Sequence, residues 1–114
     1  MKRTYRIPLM LLAIANLFAG PAHAVTWTGE VRGLVPPDNR PCVFFSIAGV
    51  PQADPVQPGW PWIAVRQSQN GFKEIYALLL AARHSGTPVT VTTTGVAVPE
   101  CDGYAGLLRI SYDP

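Results

Sequence analysis

Residues 62–94, WIAVRQSQNGFKEIYALLLAARHSGTPVTVTTT, decide the fold. A short run of β-formers, Trp62 to Arg66, gives way to a polar turn, Gln67 to Gly71. The hydrophobic period then changes. Phe72, Ile75, Tyr76, Leu79 and Leu80 recur at i, i+3, i+4, i+7 and i+8, the stripe of an amphipathic helix. Ala77, Ala81 and Ala82 add helix propensity. Ser68 or Asn70 is placed to cap the start. Arg83 and His84 fall in the last turn, where positive charge suits the helix dipole. Gly86 and Pro88 supply the stop. So apolar a helix is expected to be buried along most of its girth. Val89 to Thr94 then alternates apolar and polar, the period of a strand.

Working outward, Val25 to Leu34 alternates loosely and reads as a first strand. Three prolines and Asp38-Asn39 make a loop of residues 35–41. Cys42 to Ala48 is a second strand, and Pro51 to Pro61 a long proline-rich loop. Val96 to Gly103 is a loop holding Cys101, and Leu107 to Tyr112 a last strand. The element order is β-β-β-α-β-β. A mainly β chain with five strands and one helix between strands 3 and 4 is the pattern of a small OB-fold barrel.

The amino terminus reads as an export signal. Lys2, Arg3 and Arg6 precede an apolar stretch from Ile7 to Ala19, and Ala22-His23-Ala24 offers small residues for cleavage after Ala24. The stretch is shorter than the roughly 20 residues a bilayer span needs, so no membrane anchor is expected. Residues 1–24 are thus a removed signal peptide and 25–114 a single domain, periplasmic or secreted. The whole chain carries nine basic and seven acidic residues. Three of the basic ones belong to the signal, leaving six against seven and a net charge of −1. That offers no footprint for nucleic acid. Export places Cys42 and Cys101 where disulfides persist, and two cysteines allow one intramolecular pairing.

Chemistry-bearing constellations are sparse. The domain has one histidine, His84, whose place at a helix end explains it without catalysis, and no enzyme is expected. Too few ligands converge for a zinc site, and no cofactor is implied. Glu100 and Asp102 could hold calcium weakly, although a solvated acidic loop is the simpler reading. The aromatics are more suggestive. Gly59-Trp60-Pro61-Trp62 sets two indoles at a loop-to-strand junction stiffened by proline. The pair reads either as a stacking platform or as core plugs. The core is favoured for Trp62, and Trp60 stays open. Trp27 belongs with the core. Tyr104 and Tyr112 could each bring a hydroxyl to a site, and Arg32 could grip a carboxylated sugar in bidentate fashion.

Three segments carry a likeness to a known family: Trp27-Thr28-Gly29-Glu30; Phe72-Lys73-Glu74 with Ala82-Arg83; and Ser85-Gly86-Thr87-Pro88-Val89. In order and spacing the chain resembles the B subunits of AB5 toxins of the subtilase cytotoxin and typhoid toxin type, and more distantly pertussis toxin subunits. The resemblance implies a secreted OB-fold that forms a ring, usually a homo-pentamer, binds sialylated host glycans and serves a separate catalytic A subunit. The family's sialic-acid pocket uses a hydroxyl residue after Trp-Thr-Gly. Here Val31 to Pro37 contains no serine or threonine, so no sugar-binding residue is carried over. The expected ligand-binding residues are therefore Trp60, Trp62, Arg32 and Tyr104. The expected function is glycan-directed, oligomeric binding. The alternative is a stand-alone periplasmic protein of this fold that binds or inhibits another protein.

Overall fold

The computed structural model describes residues 24–112; the expected signal peptide, Ala24 apart, lies outside them. The described chain forms six strands and one long helix. They are β1 (Thr26–Gly29), β2 (Val31–Val35), β3 (Cys42–Ile47), β4 (Ile63–Arg66), α1 (Phe72–Ser85), β5 (Val89–Ala97) and β6 (Ala105–Tyr112). A 3-10 turn, Pro99–Cys101, precedes β6. The strands make one sheet in the order β1-β5-β6-β4-β3-β2.

Five strands were expected, with the helix after the third. Six are present, with the helix after the fourth. The reason is local: the run from Val25 to Leu34 breaks at Glu30. Before the break β1 pairs antiparallel with β5, Trp27 opposite Val91. After it β2 pairs antiparallel with β3, Val31 opposite Ile47. The Glu30 carbonyl accepts the Ala48 N–H at 2.8 Å. The two edges of the sheet are thus one residue apart in the chain, and the sheet must curl into a half-barrel. Its other departures from the sequence reading are small. The fifth strand runs on to Ala97 and the sixth begins at Ala105, so the loop around Cys101 is shorter than expected.

Alternation along β3 sorts its side chains to two sides. Val43, Phe45 and Ile47 enter the main core with Ile63, Val65, Val89, Val91 and Leu107. Cys42 and Phe44 point the other way and form a second cluster with Ala64 and Cys101. Every residue of β3 is buried, because both of its faces are covered. Cys42 and Cys101 are disulfide-bonded, with Cα atoms 5.8 Å apart. The two are 59 positions apart in sequence, and closing such a loop is worth on the order of 4 kcal/mol in the chain-entropy model.

The helix packs against the main core with one face only. Leu79 and Ala82 are buried, while Phe72, Ile75, Tyr76 and Leu78 are partly so. Leu80 stands 48% exposed, and the expectation of burial along most of the girth fails. One sheet face offers one packing surface, so among the described residues the far side of α1 is left uncovered. The start also differs. The N-cap is Gly71 at φ 76°, with no side-chain cap from Ser68 or Asn70. A cap needs an extended residue whose side chain reaches forward, and here a left-handed glycine turns the chain in instead. Gln69, in that turn, donates its side-chain amide to the Leu107 carbonyl at 3.0 Å. Gly86 ends the helix as expected, its N–H on the Ala82 carbonyl.

Leu79→Ala is expected to cost about 2–5 kcal/mol of folding stability, as deletions at closed core sites do, and Leu80→Ala less than about 1 kcal/mol. Denaturant midpoints of the two variants measure the difference.

Candidate functional site

The second cluster, on the side of the sheet away from α1, builds a concave site. Phe44 is its floor. Tyr104 meets the Phe44 ring edge-on, with centroids 5.6 Å apart and planes at 74°. Val35 and Trp62 pack against the same cluster. A bulge in the β2–β3 ladder between Val31 and Leu34 frees the Gly33 N–H, which donates to Ser46 Oγ at 3.0 Å. The Trp62 ring lies over that glycine. A Cβ on Gly33 would stand 2.9 Å from both Trp62 and Ser46 Oγ, closer than side chains tolerate. Trp62 is therefore seated by the absence of a side chain at Gly33.

Charge lines the rim. The Arg40 guanidinium sits 4.8 Å above the Phe44 centroid, within cation–π range. It donates to Asp102 Oδ2 at 2.6 Å and to Asp38 Oδ2 at 3.1 Å. Asp102, at φ 59°, caps the 3-10 turn, and its carbonyl accepts the Gln57 side-chain amide at 3.2 Å. The hydrogen bond from Arg40 holds the Asp38 carboxyl below its ordinary 3.8, and the bonds to Asp38 and then Asp102 push the Arg40 pKa up. Val35, Arg40, Phe44, Trp62, Asp102 and Tyr104 enclose a pocket of about 210 Å³. That is below the roughly 300–1,000 Å³ of drug-sized ligand sites, and suits a single ring.

The expected site residues separate. Trp62 and Tyr104 meet in this pocket. Trp62 is not the barrel plug that was favoured: it is half-buried on the outer cluster, because residue 62 shares the parity of Ala64 and Phe44, not that of Ile63. Trp60 is 53% exposed and does not line the pocket, so the two indoles form no joint platform. Arg32 is also elsewhere, beside Glu30, Ala48 and Arg83 around a different pocket. Tyr112 lies at the end of β6, bonded to Ser85 at 3.3 Å. Trp27 packs partly buried against the main core, its indole N–H on the Ala53 carbonyl at 2.8 Å. Arg40 and Phe44 are absent from the sequence reading as site residues, and Asp102 enters it only as a weak calcium ligand. One signal could have found two of them. Pairing Cys42 with Cys101 draws Arg40 and Asp102, two and one positions away, to the same spot.

The two acids considered for calcium are engaged otherwise: Asp102 with Arg40, and Glu100 with Arg66 at 3.8 Å. Among the described residues no group of three or more histidines, cysteines and carboxylates could hold a metal ion, and no helix is long and apolar enough to cross a membrane. No family model, curated protein or solved structure matches this chain.

Two outcomes test the geometry. Asp38 has a lowered folded pKa, so its tie to Arg40 is fully present above the unfolded carboxylate value of about 3.9 and is lost as pH falls through the folded value. A carbon-detected NMR titration should place its midpoint below 3.8, and Arg40→Ala should move it back up. Gly33→Ala should unseat Trp62, cost roughly 1–3 kcal/mol and red-shift the tryptophan emission.

Proposed function

We propose that this protein is a secreted, non-enzymatic binding subunit on an OB-fold barrel, directed to glycans and oligomeric. The fold reading is supported by the strand order. With β1 and β2 counted as one strand broken at Glu30, the helix falls between the third and fourth of five strands. The third of these then runs parallel to the fifth, Ala64 opposite Gly106. Such barrels often bind oligosaccharides or oligonucleotides on their faces.

The ligand reading is carried by one observation, the pocket of Phe44, Trp62 and Tyr104 rimmed by the Arg40–Asp102 pair. Aromatic faces take the C–H face of a pyranose. A guanidinium and a carboxylate at its edge exchange hydrogen bonds with hydroxyls. Arg40 already holds two carboxylates, so it is neutralised where it stands, and this favours an uncharged sugar over a sialic acid as the primary contact. A single-ring pocket gives weak affinity per copy, and a ring of copies would multiply it. Exposed Val96 and Leu108 flank a groove of about 410 Å³ between β5 and β6, which supports that flank as the contact between copies. A catalytic A subunit is the partner the toxin resemblance implies. The alternative, a stand-alone protein that binds another protein, is favoured by exposed Trp60 alone.

A glycan array read with the exported protein, with its solution mass, tests the proposal. Binding is expected to fall at least tenfold in Trp62→Ala and to survive in Trp60→Ala, with a mass several times that of one chain. A monomer with no glycan bound, or glycan binding indifferent to Trp62, would sink it.

A further inference from the structure

Asp54 is a buried carboxylate that the proposed site does not use; it is 3% exposed. Its Oδ2 accepts the Thr93 hydroxyl at 2.6 Å and its Oδ1 the Val56 N–H at 2.9 Å. No cation joins it among the described residues. Hydrogen bonds tie Asp54 and its neighbour Ala53 to β1, to the rest of the loop of residues 48–62 and to β5. Read along the chain, these segments contain no charged residue other than Asp54 itself. On the neighbouring β6, Arg109 stands opposite Thr92, but it is exposed and makes no ion pair with Asp54. Burying a lone carboxylate is costly, and proteins pair such groups or neutralise them.

The missing charge has one source in the structure. Thr93 Oγ1, which donates to Asp54, accepts the backbone N–H of Val25 at 3.1 Å. The Thr93 N–H in turn donates to the Val25 carbonyl at 2.8 Å, so Val25 is pinned from both sides. Val25 is also the residue that cleavage after Ala24 makes the first of the chain. We infer that export processing creates the counter-ion of Asp54: the new α-ammonium of Val25, held on Thr93, completes a charge pair that the precursor lacks. The inference rests on the cleavage reading and is independent of the glycan proposal.

The chemistry balances simply. A signal peptidase adds one water across the Ala24–Val25 amide, leaving a carboxylate on Ala24 and an amine on Val25 that is protonated at neutral pH. The nitrogen stays within about 6 Å of Oδ2, since two consecutive hydrogen bonds separate them, a range at which opposite charges attract directly. Ala24 is exposed, so the bond is accessible, while Val25 is half-buried against the sheet. The consequence is directional. Before cleavage the Asp54 loop carries an uncompensated charge and is held less firmly. After cleavage the loop that leads to Trp60 and Trp62 is locked to β1 and β5. The device would delay full stability until the chain has left the cytoplasm, where an export substrate must remain unfolded.

An ammonium whose folded pKa is raised contributes stability that is present below its unfolded value of about 8 and is lost as pH rises through the folded value. The protein is recovered from the periplasm of an expressing bacterium and its first residue read by mass spectrometry. A portion is unfolded with the disulfide intact, carbamylated with cyanate near neutral pH and refolded; the urea formed keeps an N–H donor but loses the charge. At pH 6 the free-amine form is expected to have a folding equilibrium constant about tenfold larger, the change that one unit of pKa shift produces. The advantage should vanish above pH 10 and in Asp54→Asn. A first residue other than Val25, equal stabilities at pH 6, or an advantage that persists at high pH would each overturn the inference. Should Asp54→Asn fail to fold, the comparison of the two amine states across pH still decides.

Discussion

The sheet's two edges, β1 and β2, are consecutive in the chain and separated by Glu30 alone. Everything else follows from that constraint. Two strands one residue apart cannot lie at opposite ends of a flat sheet, so the sheet curls until they nearly meet. Curling creates a concave side, which the apolar residues of β3, β4 and β5 fill and α1 covers. It also creates a convex side, on which the described residues form no second layer. That side is covered piecemeal by the 3-10 turn, Tyr104 and Trp62.

The disulfide acts on this outer side. It fastens the start of β3 to the 3-10 turn and thereby aligns two charge pairs beside it, Arg40 with Asp102 and Arg66 with Glu100. Both pairs are exposed, and exposed pairs contribute little stability. Their effect is positional: Arg40 is fixed over Phe44, and the pocket gains a polar rim at a set distance from its aromatic floor. The bulge in β2 adds the last requirement, a gap at Gly33 into which the Trp62 ring settles. A site made of residues 35, 40, 44, 62, 102 and 104 is thus assembled from four separate stretches of chain, and no one of them contains a recognisable motif.

What lies on the inner side and around Val25 has a different character. The loop of residues 48–62 carries a single charge, Asp54, and buries it against β5. The same loop is fastened by the Trp27 indole and by Ala53, whose N–H reaches the Trp60 carbonyl at 3.0 Å. The position of both indoles at its end therefore depends on how well its beginning is held. Val25, through Thr93, and Trp62 of the outer pocket are thus linked to Asp54 by hydrogen bonds and one proline-rich loop.

Local sequence was enough to settle the mainly β composition, the helix of residues 72–85 with its glycine stop, and the disulfide. Each of these depends on local period or on elimination among two cysteines, information that needs no knowledge of neighbours. Side-chain alternation was legible too, but not which alternate faced the core. Trp62 went to the outer cluster because the register of β4 with β3 fixed its parity, and register is a property of two strands. It took the assembled sheet to settle that the first strand breaks at Glu30, that Leu80 stands exposed off the packed face of α1, and that Arg40 and its partner Asp102 sit beside the Phe44 ring. Those outcomes depend on which distant surfaces meet when the sheet curls, and curvature is set by the closure of the whole chain and not by any segment of it.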